Sequence, residues 1–267
     1  MSTEREDVVR DAVRERYAGF ATSASSCCAP TSSCGCAPAA VTPDETEISR
    51  RLGYSDEELA AAPEGANLGL GCGNPQAIAA LSRDEVVLDL GSGAGFDCFL
   101  AARKVGEGGR VIGVDMTPEM VAKARDNARK AGYANTEFRL GEIEHLPVAD
   151  GSVDVIMSNC VINLSPDKPA VFREAFRVLR PGGRLAISDV VATAPLPESV
   201  RDDMRLLSAC ISGAADLETL EAILADVGFQ DVDIRPVEES REFIRDWEPD
   251  SRLEDFVLSA TIRAVKH

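Results

Sequence analysis

The sequence has few basic residues for its size, and this excludes one class of partner. Lysine and arginine number 28 against 45 aspartates and glutamates, which gives a formal net charge of −17 in 267 residues. So acidic a surface repels a phosphate backbone, and we expect no nucleic-acid partner. Long apolar runs are also lacking, since VVLDL and VIGVD are far shorter than the roughly 20 residues of a membrane-spanning helix. We therefore expect no membrane partner and a cytoplasmic location.

Histidine is scarce as well. Only His145 and His267 occur, and neither lies in a recognisable motif, so the sequence offers no obvious histidine base. The start, MSTEREDVVRDAVRERY, is charged and has helical apolar spacing, without the apolar region of a secretory signal. In a cytosolic chain of this kind, the eight cysteines are expected to serve as thiols, metal ligands or redox groups rather than as structural disulfides.

What is present is an alternation of strand-like and helical segments from Val86 to Asp189, which predicts an α/β fold with a doubly wound, mostly parallel sheet. A helical segment from Leu217 to Val227 and two further strand-like segments close the chain, making seven strands. We divide the chain into an N-terminal helix with a cysteine-rich flexible segment (1–65), a core (66–190) and a closing portion (191–267). Trp247 and the acidic run around it are expected in a solvated connection.

A glycine-rich loop, DLGSGAGFD at residues 89–97, follows an apolar strand and opens a helix, so its N–H groups lie at the positive end of the helix dipole. The dinucleotide fingerprint G-x-G-x-x-G is not met, because Phe96 stands where the last glycine belongs. A tight G-x-G-x-G turn suits a nucleoside with an amino-acid arm better than a pyrophosphate. Asp115 ends the next strand, where a carboxylate can accept both ribose hydroxyls.

Together with the Pro181-Gly182-Gly183 turn, this pattern resembles class I S-adenosylmethionine-dependent methyltransferases over about residues 84–190. The resemblance implies a Rossmann-like fold, a core that binds S-adenosylmethionine, and a set of cofactor-binding residues: Asp89, Gly91, Ser92, Gly93, Gly95, Asp115, Met116, Glu142, Ile143 and Asn159. In that family the loop holds the methionine and sugar, the position of Asp115 holds the ribose, and the pair Glu142 and Ile143 flanks the adenine. Asp89 either orients the loop or simply ends the strand.

Three cysteines stand in settings that favour a shared site. Cys72 lies in GLGCGNP before the core, Cys160 in SNCVINL after the fourth strand, and Cys210 in SACISGA beyond the fifth. Ligands of open α/β sheets bind outside the carboxyl ends of the strands, so Cys160 is expected beside the reactive end of the cofactor. A buried cysteine is equally often a small apolar residue. That is the role we expect of Cys98, one turn into the first core helix.

These segments are similar to arsenite methyltransferases, which carry GCG before the core, SNCVINLSPDK after the fourth strand and a further cysteine 50 residues on, as 210 − 160 gives here. The similarity covers about residues 66–267 and implies methyl transfer to arsenite and methylarsenite, a reaction of arsenic detoxification, with Cys72, Cys160 and Cys210 as the catalytic arsenic(III) ligands. It also implies an external thiol reductant of glutathione or thioredoxin type, with thioredoxin as a candidate partner. We expect a monomer.

The N-terminal segment offers four counterparts of a further family cysteine: Cys27, Cys28, Cys34 and Cys36. The adjacent pair Cys27 and Cys28 is favoured for a redox or accessory role, in which an N-terminal cysteine and Cys72 form a disulfide during turnover. The same segment supports an alternative, because C-C-x5-C-x-C could supply the four ligands of a zinc site in a thiol-based metalloid-binding protein. A methyltransferase for a small organic acceptor is the second alternative.

The chemistry of arsenic agrees with the thiols. Trivalent arsenic is soft and three-coordinate, so three thiolates satisfy it and leave its lone pair free. This lone pair can attack a sulfonium methyl without a general base, because no proton has to be removed, which accords with the scarcity of histidine. Correct placement alone can supply on the order of 7 to 11 kcal/mol of such a barrier.

Overall fold

The structure is a computed structural model, and it describes residues 3–22, 44–201, 210–247 and 252–267. Seven strands form one sheet in the order β3-β2-β1-β4-β5-β7-β6. The strands are β1 (Val86–Leu90), β2 (Arg110–Asp115), β3 (Thr136–Leu140), β4 (Val153–Asn159), β5 (Leu179–Ala192), β6 (Gln230–Val237) and β7 (Val257–Val265). All neighbours are parallel except β7, which runs antiparallel to both β5 and β6. The predicted α/β fold with its mostly parallel seven-stranded sheet is therefore confirmed.

Helices cover both faces of the sheet because the central strands are apolar on both sides. The described helices are α1 (Thr3–Thr22), α2 (Glu45–Arg51), α3 (Asp56–Ala61), α4 (Gln76–Ala79), α5 (Phe96–Val105), α6 (Pro118–Ala131), α7 (Lys168–Val178), α8 (Glu198–Arg201), α9 (Leu217–Val227) and α10 (Arg241–Trp247). Buried side chains of α4, α5 and α6 pack on one face, and those of α7 and α9 on the other. No helix in the described ranges is long and apolar enough to cross a membrane.

Local signals account for several helix ends. Ser55 and Glu58 form a capping box at the start of α3, with each side chain bonded to the backbone of the other residue. Pro118 stands in the first turn of α6, where its missing N–H costs no helical hydrogen bond. Gly132 ends the same helix at φ 75°, a left-handed conformation that glycine adopts without a steric penalty.

The Pro181-Gly182-Gly183 turn lies within the bounds of β5, near its start. The register against β4 passes from Val153 opposite Leu179 to Val155 opposite Arg184, so the segment between them bulges out of the ladder. Gly182 has φ 82°, a left-handed conformation that glycine adopts readily. Backbone hydrogen bonds from the N–H of Gly182 to Lys266, and from the N–H of Lys266 to Gly183, join this turn to the residues after β7. The predicted turn is therefore present, as a bulge of β5.

The carboxyl ends of β1, β2, β4 and β5 meet at one edge of the sheet. Above this edge lies an apolar cluster. It contains side chains of α1, α8 and α10 together with Cys72, Cys160 and Cys210. Trp247 belongs to this cluster, and its ring lies 5.5 Å from that of Phe243. The expectation that Trp247 stands in a solvated connection is therefore wrong, because α10 turns its aromatic side chains inward while its charged residues face solvent.

Candidate active site

A cavity of about 440 Å³ opens at this edge of the sheet. Its walls come from the glycine turn after β1, the end of β2, the loop after β3, the loop after β4, and one face of α1. The residues that α1 contributes are Arg10, Val13, Arg16, Tyr17 and Phe20. Helix α1 therefore forms a wall of the site, a role that the sequence did not predict.

The glycine turn is held tightly against its surroundings. The N–H groups of Gly91 and Ser92 both donate to the carbonyl of Val114, at 2.8 and 3.0 Å. Gly91 has φ 68°, and a Cβ atom there would lie 2.3 Å from Cγ2 of Val161, so only glycine fits. Gly95 lies outside the cavity wall and stands before the first turn of α5. The turn thus brings the backbone close to the cavity, next to the loop that carries Cys160.

Asp115 ends β2 and faces the cavity. One carboxylate oxygen accepts from the backbone N–H of Thr117 at 2.8 Å, and the other from that of Gly93 at 2.9 Å. Burial raises the pKa of Asp115, and these two hydrogen bonds oppose the rise. A carboxylate has about four acceptor sites, so Asp115 can also accept from the neighbouring hydroxyls of a ribose in the cavity.

The cavity wall also contains a second group of acids. Asp97 accepts from the Tyr54 hydroxyl at 2.9 and 3.0 Å, and burial raises the pKa of Asp97 to about 6. Asp89 is 3% exposed, and the thiol of Cys98 donates to it at 3.2 Å. Burial and the neighbouring Asp97 raise the pKa of Asp89. Two carboxyl groups beside a cavity suit a cationic ammonium group, and the sequence analysis had not singled out Asp97.

The predicted adenine pair divides in the structure. Ile143 and Met116 line the cavity, whereas Glu142 does not. The Glu142 carboxylate instead faces the guanidinium groups of Arg10 and Arg14, at 3.7 and 3.5 Å. Glu144 is the acid on the cavity wall, where it accepts a hydrogen bond of 2.6 Å from the Ser165 hydroxyl. Both acids of the loop after β3 also face Arg10 of α1, Glu144 at 3.5 Å, but only Glu144 lies on the cavity wall.

The residues around this cavity fit S-adenosylmethionine. Ser92 has a buried hydroxyl oxygen at the cavity wall with no hydrogen-bond partner. An orphaned buried hydroxyl is costly unless a ligand completes it. Acceptors for a ribose at Asp115, acids for an ammonium group at Asp89 and Asp97, and an apolar wall at Ile143 match the parts of this cofactor.

The structure brings Cys72, Cys160 and Cys210 together, and all three are buried and free. Cys160 and Cys210 lie on the cavity wall, whereas Cys72 lies behind Cys160 and outside it. The thiol of Cys210 donates to the backbone oxygen of Cys160 at 2.7 Å. Both Cys160 and Cys210 have positive φ, 59° and 65°, which is unusual for a side-chain residue and recurs at functional sites. Cys27 and Cys28 lie outside the described residues.

The three thiols are held in the protonated form. Burial raises the pKa of Cys72. For Cys160, a hydrogen bond with Cys210 lowers the pKa. Hydrogen bonding to Cys72 and burial raise it by more, so the net shift of the Cys160 pKa is upward. For Cys210, the hydrogen bond to Cys160 and then burial raise the pKa. A cationic centre that replaces the protons is the natural occupant of such a cluster, because a thiolate is the form that binds soft metals.

Asn159, the last residue of β4, connects the thiols to the acids. Its amide oxygen accepts from the backbone N–H of Cys72 at 3.0 Å. Its amide nitrogen donates to the carbonyl of Gly73 at 2.8 Å and to the Tyr54 hydroxyl at 3.1 Å. Through Tyr54 the chain of hydrogen bonds reaches Asp97. The Asn159 side chain thus connects the Cys72 loop, through Tyr54, to the carboxylate of Asp97.

Tyr17 is a further residue at the thiols. Tyr17 lies close to Cys210 and Cys160, and burial followed by the proximity of these two cysteines raises the pKa of Tyr17. The sequence placed Tyr17 only on the apolar face of a helix. Its contact with the thiols depends on where α1 docks, which no local pattern states.

The sheet order, the glycine turn and the carboxylate that follows it are those of S-adenosylmethionine-dependent methyltransferases, and residues 81–237 match the family model of the methyltransferase domain. A Halobacterium salinarum protein named arsenite methyltransferase is 56% identical over 259 residues, which are 96% of this chain and 66% of that protein. An Aquipseudomonas alcaligenes protein of the same name is 45% identical over 190 residues, 67% of this chain and 54% of that protein.

The fold also matches the crystal structure of an arsenic(III) S-adenosylmethionine methyltransferase from Chlamydomonas reinhardtii. The TM-score is 0.63 at 35% identity, covering 85% of this chain and 74% of that one. The chain belongs to the arsenite methyltransferase family of S-adenosylmethionine-dependent methyltransferases. It spans 66% and 54% of the lengths of the two curated relatives.

Proposed function

We propose that this protein transfers methyl groups from S-adenosylmethionine to trivalent arsenic held by the thiolates of Cys72, Cys160 and Cys210. The observation that carries the proposal is the convergence of three buried free thiols, two of them on the wall of a cavity whose other residues fit this cofactor and the third, Cys72, beside Cys160. A methyltransferase for an organic acceptor would have no use for such a cluster. Arsenite and methylarsenite are the proposed substrates, and detoxification of arsenic is the proposed purpose.

The residues around the cavity have two proposed tasks, to bind the cofactor and to hold the arsenic. Asp115 orients the ribose, and Asp89 and Asp97 attract the ammonium group of the methionine. When bound, the cofactor supplies an electrophilic methyl group on a sulfonium. The thiols hold the arsenic so that its lone pair faces this methyl, and the apolar cluster around them excludes water. No general base is required, since the attacking atom carries no proton.

The reductive part of the cycle is also a proposal. After the transfer, the arsenic is formally pentavalent, and two electrons from thiols must return it to the trivalent state. We propose that Cys72 and an N-terminal cysteine, Cys27 or Cys28, form a disulfide in this step, which an external thiol of glutathione or thioredoxin type then reduces. If a variant lacking all four N-terminal cysteines turned over normally with an external thiol, this assignment would be wrong.

The activity is tested by incubating the purified protein with arsenite, S-adenosylmethionine and a small thiol, and separating the arsenic species by chromatography with mass detection. Methylated arsenic is expected from the wild type and none from Cys160→Ser. Cys98→Ser is the matched control, because Cys98 is equally buried but lies on α5 beside Asp89, away from the other thiols. Cofactor binding without methylated arsenic would favour an organic acceptor, and stoichiometric zinc bound by the N-terminal cysteines would favour a binding protein.

A further inference from the structure

Asp189 is a buried carboxylate beside the thiols that the proposed mechanism leaves unused. It lies on β5 and is 2% exposed. One of its carboxylate oxygens and the sulfurs of Cys72 and Cys160 all lie within 4.8 Å of one another. A negative charge so close to three thiols disfavours their ionisation, so its presence requires a reason other than thiol activation.

The surroundings of Asp189 hold it as a carboxylate. Three N–H groups donate to it: the backbone of Ile162 at 2.9 Å, the amide of Asn163 at 2.9 Å and the backbone of Val190 at 2.8 Å. Burial raises the pKa of Asp189 to about 6, and the hydrogen bonds and the Lys168 ammonium oppose the rise. These three N–H groups solvate a carboxylate in the interior and fix its position.

Methyl transfer moves positive charge toward this carboxylate. Arsenic bound to three thiolates is neutral, and its lone pair forms the new As–C bond while the C–S bond of the sulfonium donor breaks. The electron pair of that bond stays on sulfur, which becomes neutral, and the arsenic becomes cationic. No proton moves. A fixed negative charge near the arsenic thus interacts more strongly with the transition state than with the ground state, which is the condition for catalysis.

We propose that Asp189 stabilises the positive charge that develops on arsenic during the methyl transfer. This inference rests on the proposed function. The carboxylate lies beside the Cys72 and Cys160 sulfurs, and because three thiolates already satisfy trivalent arsenic, we assign Asp189 an electrostatic role rather than that of an arsenic ligand. Lys168 acts in the opposite sense, because its ammonium, whose pKa burial lowers, is coupled to the same carboxylate and to Cys210.

The test is the single-turnover rate of methyl transfer at pH 8, with saturating arsenite and S-adenosylmethionine. We expect the rate of Asp189→Asn to fall roughly 10- to 100-fold. This estimate takes the Coulomb attraction between the unit charge of Asp189 and the partial charge that develops on arsenic, at a separation of about 5 Å and an effective dielectric constant of about 20. Arsenite affinity, read from Trp247 fluorescence, and cofactor affinity, read by calorimetry, should remain near wild type. Lys168→Met, which removes the opposing charge, should raise the rate several-fold.

The outcomes separate the two proposals. If the wild type forms no methylarsenical, the proposed function fails. If the wild type is active and Asp189→Asn is equally fast, only the role of Asp189 is overturned. A loss of arsenite affinity as large as the loss of rate would mean that Asp189 merely shapes the site, which also overturns it. Should Asp189→Asn not fold, Lys168→Met decides: an unchanged or lower rate contradicts the inference.

Discussion

Gly91, in the glycine turn after β1, contacts Val161, in the loop that carries Cys160. This contact predicts that one substitution at Gly91 disturbs both segments. A Cβ atom on Gly91 would lie 2.3, 2.7 and 2.9 Å from Cγ2, Cγ1 and Cβ of Val161. In Gly91→Ala, the left-handed backbone costs roughly 1–2 kcal/mol and the overlap adds about 1–3 kcal/mol. Gly93→Ala is the matched control, because Gly93 has φ 50° but no atom within 4 Å of its Cβ position. It should lose only the backbone part.

The assay is urea-induced unfolding without ligands, followed by circular dichroism, with free energies extrapolated to water. We expect Gly91→Ala to be less stable than Gly93→Ala by about 1–3 kcal/mol. Because Val161 follows Cys160 directly, the strain should also displace this cysteine, so arsenite affinity should fall in Gly91→Ala and stay near wild type in Gly93→Ala. Equal stability of the two variants would refute the steric argument, and equal arsenite affinity would refute the link between the two loops.

Three further predictions concern the polar groups of the cavity. Asp115→Asn should weaken cofactor binding roughly 10- to 100-fold, because it loses a charge-assisted hydrogen bond, while calorimetry finds arsenite affinity unchanged. The pKa of Asp97 rises from 3.8 to about 6 on folding, so the folded state binds the Asp97 proton more tightly than the unfolded state does. Protonation of Asp97 therefore stabilises the fold, and this stabilisation is lost as the pH rises from about 4 to 6. Urea midpoints measured across that range should decline in the wild type and vary less in Asp97→Asn. Asn159→Ala leaves the Cys72 N–H unpaired, which costs about 1–3 kcal/mol, so titrations should show weaker binding of arsenite.

Much of the fold could be predicted because its signals are local. The apolar strands, the glycine turn between β1 and α5, and the Thr117-Pro118 start of α6 are each encoded within a few residues. The position of Asp115 followed from the same logic, since a residue that ends a strand beside the first must lie at the common edge. The turn at Pro181-Gly182-Gly183 is encoded locally as well, but its hydrogen bonds to Lys266 could not be predicted this way, because that residue lies far along the chain.

The parts of the site that the sequence did not predict depend on how distant segments pack. Tyr54 meets Asp97 across 43 positions of sequence, and Asp189 on β5 lies close to Cys72, which precedes β1. Glu142 and Glu144 are two residues apart in one loop, and only the path of that loop decides which faces the cavity. One clue was available: Asp97 closes the motif DLGSGAGFD, so it could have been considered with Asp89.

The three thiols stand on three separate segments: one before β1, one after β4 and one beyond β5. Arsenic bound by all three would act as a trivalent cross-link between distant parts of the chain, and the loaded enzyme should be the most resistant to unfolding. In the proposed reaction each methyl group would take one of the three valences of arsenic, so the number of thiolate bonds to the protein would fall from three to two and then to one. The affinity of the protein for arsenic would therefore decrease with every round of methylation, because fewer thiolates would hold the product.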